Sequence, residues 1–170
     1  MSFELRPIGV VRTPYGDWAP YQPPARQVEP GAFRLELDEE HAEGLDELER
    51  FSHIFVLTFL DRADRSPAGR VAPPWAKGKV VGLFASRSPD RPNPVGLSVV
   101  EVLKIEGSTV FVSPLDVYDQ TPLIDIKPYI PTLDARQDAN EGWIEDFEDK
   151  SHLLQHLRGE PHQHDHGHGD

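Results

Sequence analysis

The sequence predicts a mainly β fold, a small single-domain β-barrel with a few short helices, and three observations carry that expectation. Only 38% of the 170 residues are hydrophobic while 17 are prolines, which leaves little room for long helices. The first 130 residues hold about seven short runs rich in β-branched and aromatic residues, a number suited to a barrel or sandwich. No glycine-rich strand-to-helix turn within alternating strands and helices is present, so a pocket has to be built from loops.

Taken in order, Phe3 to Val11 mixes apolar and polar positions and ends at Thr13-Pro14, and Phe33-Arg34-Leu35-Glu36-Leu37 alternates strictly, as a half-buried strand does. Asp38 is placed to cap one short helix. Its Ala42, Leu45 and Leu48 recur at three-residue spacing, an apolar stripe that would lie across one barrel end. Phe51 to Leu60 is so continuously apolar that it reads as a strand buried on both faces. The turn Asp61 to Gly78, with prolines at 67, 73 and 74, exceeds the usual connection length and reads as functional. Further strands are expected at Lys79–Ala85, Val95–Ile105, Thr109–Val112 and Leu123–Ile126. The barrel domain so defined is 1–140. An acidic segment follows at 141–158, with a short helix around Leu153, Leu154 and Leu157, and then a histidine-rich tail, 159–170, too poor in apolar residues to order itself.

With no cysteine, a disulfide scaffold, a thiolate zinc site, an iron–sulfur cluster and a catalytic thiol are excluded. The longest apolar run, Ile54 to Leu60, falls far short of the roughly 20 residues of a membrane helix, and the first residues lack a signal-peptide layout. The expectation is a cytoplasmic protein without a membrane partner. A net charge of −12 would ordinarily argue against a polyanionic partner. Residues 141–170, however, carry eight acids against two bases, while 61–98 carry seven bases against three acids. A basic surface is therefore expected around 61–98.

The stretch Gly82 to Ser98 runs from a strand into Ser86-Arg87-Ser88-Pro89-Asp90-Arg91-Pro92-Asn93-Pro94-Val95-Gly96-Leu97-Ser98. Three prolines in six residues stiffen a loop bearing Arg87, Ser88, Arg91 and Asn93, so it can present donors without first collapsing; a stiff hairpin whose arginines merely pair with acids fits the same spacing. This string resembles the signature of the TsaA-like family, also called TrmO. Four further segments fall in that family's order: Ile8 to Pro14, Gly44 to Leu57, Leu115 to Pro122 and Asp125 to Pro131.

The resemblance covers about residues 6–134. It implies a small β-barrel methyltransferase that uses S-adenosyl-L-methionine and works as a homodimer with the cofactor near the subunit interface. The implied substrate is tRNA bearing threonylcarbamoyl-adenosine next to the anticodon, methylated on the base's N6. By the same similarity, four loop sets hold the cofactor: Ala25, Arg26 and Gln27; Asp61 and Arg62; Arg87 with Leu97; and Leu115, Asp116, Val117, Tyr118 and Asp119. Arg26 or Arg87 suits the cofactor carboxylate, Gln27 the adenine edge, and Asp61, Asp116 or Asp119 the ribose hydroxyls or amino group. Loss of the N6 proton needs assistance, for which Asp116 and Asp119 are candidates. Where many family members place a His-containing pair, this chain has Asp61-Arg62, and where longer members carry a C-terminal domain the expectation here is only a short acidic and histidine-rich end.

Other residues carry plainer expectations. Lys127 pairs with Asp125 or faces phosphates, Tyr129 packs on the barrel, and His53 is a hydrogen-bonded core residue. The tail, with four histidines at alternate positions and two aspartates, would bind divalent nickel, copper or zinc adventitiously, without a closed site. Two other functions fit the residues: methylation of a small molecule or metallophore, and a non-catalytic cofactor- or metal-binding module.

Overall fold

The computed structural model describes residues 4–20, 29, 31–64, 66 and 68–148. Within them lie eight strands: β1 (Gly9–Arg12), β2 (Arg34–Leu37), β3 (His53–Phe59), β4 (Arg70–Val71), β5 (Val81–Gly82), β6 (Val95–Glu106), β7 (Thr109–Val112) and β8 (Thr121–Pro128). Six pair antiparallel in the cyclic order β1-β2-β7-β6-β3-β8 and back to β1, closing a barrel, while β4 and β5 form a separate two-stranded ribbon. Closure leaves no unpaired edge in the main sheet. Among the described residues no helix is long and apolar enough to cross a membrane.

Alternate residues of each strand point inward, as the two-residue period demands. Val11, Leu35, Ile54, Val56, Val100, Val110, Val112 and Leu123 fill the interior and are joined by Leu115 from the β7–β8 connection. One barrel end is plugged by the tight turns Glu39–Leu45 and Leu48–Arg50, which bury Leu45 and Leu48. Between them Glu47 adopts a left-handed φ of 66°, which interrupts any continuous helix.

Several expectations shift. The first strand begins only at Gly9. The stretch 79–85 supplies just Val81–Gly82 before a helical turn at Leu83–Ala85. The short helix expected after Asp38 is present as a 3-10 helix, but the Asp38 side chain makes no capping bond. β3 is not buried on both faces: Ile54, Val56 and Thr58 point inward, whereas Phe55, Leu57 and Phe59 stay partly exposed on the barrel's outside. His53 shares that outer parity, so it is exposed rather than a core residue, and it contacts Ser52 Oγ at 3.0 Å. Tyr129 packs on the same outer surface against Phe55 and His53. The helix expected around Leu153 and the tail 159–170 lie outside the described residues.

Gly9 lets β1 and β2 approach. A Cβ there would sit 2.1 Å from the Glu36 carbonyl oxygen and 2.7 Å from Leu37 Cα, whereas a Cβ on Gly44 meets nothing within 4 Å. Gly9→Ala should therefore lose ~1–3 kcal/mol of stability through forced overpacking, and Gly44→Ala should lose almost none. Urea denaturation of both variants, with unchanged m-values, measures the difference.

Candidate active site

At the barrel end opposite the plug, the chain leaves β1, leaves β3 and enters β8, so three segments distant in sequence meet. The three buried threonines of the core all lie here: Thr13, Thr58 and Thr121. Thr13 Oγ1 donates to the Val117 carbonyl at 2.9 Å, and Thr121 Oγ1 donates to the Tyr118 carbonyl at 2.8 Å. These bonds fasten the connection 115–120 across the opening. The Asp119 carboxylate completes the fastening: its Oδ1 accepts from the Thr13 amide at 3.1 Å and lies 3.3 Å from Arg12 Nε. The Asp119 amide donates in turn to the Tyr15 carbonyl at 2.8 Å.

Arg62 latches the β3 exit onto the same cluster. Its guanidinium donates to the Gly16 carbonyl at 2.7 Å and the Asp119 carbonyl at 3.1 Å, and lies 4.8 Å from the centre of the Tyr118 ring. A flat five-donor group suits such a junction, because it reaches two carbonyls while covering an aromatic face.

Asp116 differs from its neighbour Asp119. Burial pushes its carboxyl above the ordinary carboxylate range, and its own backbone amide and the Arg87 guanidinium offset only part of that rise. The hydroxyl of Tyr15 is also raised, by burial and then by the negative charge of Asp116. Asp116, Arg87 and Tyr15 therefore share one electrostatic neighbourhood. Tyr15 directly follows the segment Ile8–Pro14 yet escaped the sequence reading; an aromatic just after Thr-Pro at a strand exit was the available signal. It meets Phe33 edge-on at 5.7 Å and Trp18 at 6.5 Å, and Trp18 is largely exposed.

The loop carrying Arg87 is internally braced. Arg91 donates to the Ser86 carbonyl at 2.9 Å, Ser86 Oγ donates to the Leu83 carbonyl at 2.8 Å, and Asp90 Oδ1 accepts from the Asp64 amide at 2.9 Å. Much of the expected basic surface is thus spent on internal contacts: Arg62 and Arg91 on carbonyls, and Lys79 on Asp146 at 2.5 Å. Lys127 Nζ pairs with Asp125 Oδ2 at 2.7 Å.

Of the residues the sequence singles out, Arg62 and Leu115 through Asp119 come together at this end, Arg87 joins them through Asp116, and exposed Asp61 adjoins Arg62. Leu115 and Val117 are buried in the core rather than displayed. Leu97 points outward from β6 and is 60% exposed. Ala25, Arg26 and Gln27 lie outside the described residues. The donor set fits S-adenosyl-L-methionine: a guanidinium for a carboxylate, a half-buried carboxylate for an ammonium, hydroxyl or N–H group, and an inward hydroxyl, Thr58 Oγ1, with no hydrogen-bond partner among the described residues. Opposite that hydroxyl, a Cβ on Gly96 would stand 2.4 Å away.

Residues 10–135 match the family model described as the tRNA-methyltransferase O N-terminal domain. The chain is 40% identical to a probable S-adenosyl-L-methionine-binding protein of Archaeoglobus fulgidus, over 92% of this chain and 42% of that protein. It is 34% identical to the tRNA (adenine(37)-N6)-methyltransferase of Escherichia coli, over 85% of this chain and 65% of that protein. A crystal structure of TrmO from Pseudomonas aeruginosa superposes with a TM-score of 0.66 at 34% identity, covering 84% of this chain and 63% of the other. The chain thus spans less than two thirds of the length of these three relatives.

The raised carboxyl of Asp116 gives a signed stability expectation. The native state holds the Asp116 proton more tightly than the unfolded state, so this group's contribution falls as pH rises from the ordinary carboxylate range through its raised native value. Asp116→Asn keeps the shape and removes the partly desolvated charge. Its melting temperature should be equal to or above that of the parent at pH 8, with the difference shrinking as pH falls toward about 4. Paired thermal melts across pH check it.

Proposed function

Because the chain belongs to the tRNA-methyltransferase O family, we propose that it is an S-adenosyl-L-methionine-dependent methyltransferase acting on N6 of threonylcarbamoyl-adenosine next to the anticodon of tRNA. The observation that carries this reading is the half-buried Asp116 carboxylate, which shares one electrostatic neighbourhood with Arg87 and Tyr15 at one barrel end, inside the matched domain. S-adenosyl-L-methionine supplies a methyl group already activated on a sulfonium, so positioning provides much of the rate. Arg87, fixed by the proline loop, holds the cofactor carboxylate. Asp61 and the Asp119 loop line the ribose side. Asp116 takes the proton from N6, because burial brings its basicity nearer the working pH. Asp119, committed to Thr13 and Arg12, positions the loop instead.

The protein works as a cytoplasmic homodimer. Support comes from the outer row of β6, where Val95, Leu97, Val99 and Leu103 stand exposed at every second or fourth position, a row that a second copy can cover. Leu97 then reaches the cofactor from the subunit contact. The barrel domain, 1–140, carries the reaction, and the histidine-rich tail, 159–170, is dispensable for the chemistry itself.

Methyl transfer to tRNA with and without the threonylcarbamoyl group is the direct assay: transfer only to modified tRNA supports the reading, and no transfer to either sinks it. Affinity for tRNA should fall steeply with salt; salt-independent turnover of a small acceptor would favour the small-molecule reading. Asp116→Asn should lower kcat by about 10²–10⁴-fold. Arg87→Ala should weaken cofactor binding in calorimetry while Lys104→Ala, whose ammonium pairs with Glu106, should not. Leu97→Glu should yield a monomer in ultracentrifugation; an unchanged dimer would remove β6 from the interface.

A further inference from the structure

Residues 142–148, beyond the matched domain, fold back over the long turn that follows β3. The Trp143 ring lies parallel to Trp75 at 5.1 Å and 9°, and Phe147 meets Trp75 and Trp143 edge-on at 6.4 and 6.1 Å. The Trp143 indole N–H donates to the Ala85 carbonyl at 2.8 Å, and Asp146 pairs with Lys79. Ala85 ends the turn Leu83–Ala85, two residues before Arg87. From Ala85 onward the path to Arg87 is stiff, because Ser86 is tied to Leu83 and Arg91 is tied to Ser86.

A carbonyl needs no tryptophan to satisfy it at an exposed turn, since water serves as well. What the stacked indole adds is a fixed location: two large rings and an ion pair anchor the segment, and its one directed N–H is aimed at the residue that starts the Arg87 loop. We propose that Trp143 is a positioning residue, and that residues 142–148 brace the Arg87 loop in the geometry that receives the cofactor carboxylate. The proposal rests on the cofactor reading above, but the brace itself is a property of the free protein.

Two variants separate its parts. Trp143→Phe keeps a ring against Trp75 and loses the N–H, while Trp143→Ala removes both. Hydrogen exchange on the full chain should show faster exchange at 83–91 in Trp143→Ala with the amides of β1, β2 and β7 unchanged. Calorimetry should show S-adenosyl-L-methionine binding weakened by roughly two- to tenfold in Trp143→Phe, the span of one neutral hydrogen bond, and further in Trp143→Ala. Combined with Arg87→Ala, either Trp143 variant should cause little additional loss, because both act through one contact. Unmoved exchange at 83–91, opening of the whole barrel, or additive losses with Arg87→Ala would overturn the proposal. If the parent protein binds no S-adenosyl-L-methionine, the cofactor reading fails while the exchange data still judge the brace.

Discussion

Ring closure of the six strands is the constraint on which the rest depends. A strand ring admits one exit point for each chain segment, so closing β8 onto β1 brings Thr13 to the connection 115–120, a separation of more than 100 residues. The Asp119 carboxylate then accepts from the Thr13 amide and ion-pairs with the Arg12 guanidinium, and the hydrogen bonds of Arg62 add the β3 exit. None of these bonds is strong alone, since a typical intramolecular hydrogen bond nets about 0.5–1.5 kcal/mol. Their value is geometric, because they hold the backbone from which Asp116 projects.

The two ends of the barrel use opposite chemistry. One is sealed with Leu45 and Leu48, and burying a leucine contributes ~1.5–3 kcal/mol. The other carries the buried threonines and Asp116, whose charge costs stability that the Arg87 guanidinium only partly restores. Tolerating a carboxylate held against its preferred protonation state is the arrangement expected of a reactive site. The aromatic brace at Trp143 fits the same division, because it fixes a loop on the polar end without adding to the barrel core.

The strand content was legible where the hydrophobic period was clean. Thr109–Val112 and the alternation at Arg34–Leu37 appear as read. In β3 both parities are apolar, so the sequence cannot say which one faces inward, and His53 was assigned to the wrong side for that reason. The site was partly legible, through the resemblance of 86–98 and 115–122. Asp116 and Asp119 are chemically identical in sequence, and only burial and the company of Arg12 and Thr13 separate them. Arg62 read as a ligand-facing group, yet its latch onto Gly16 and Asp119 is a contact of long sequence separation that no local pattern encodes. Trp143 and Phe147, four residues apart in an acidic segment, were a visible signal whose partner, Trp75, was not.

The central claim is that the polar end of the barrel is the cofactor site. A crystal structure of the full chain with S-adenosyl-L-methionine, or its demethylated product, tests it most directly. The expected result is a ligand against Asp116 and Arg87, beside the Asp119 loop and the Arg62 latch. A ligand seated instead in the cavity of about 470 Å³ at the opposite end, among Glu40, His41, Asp46 and Phe51, would contradict it.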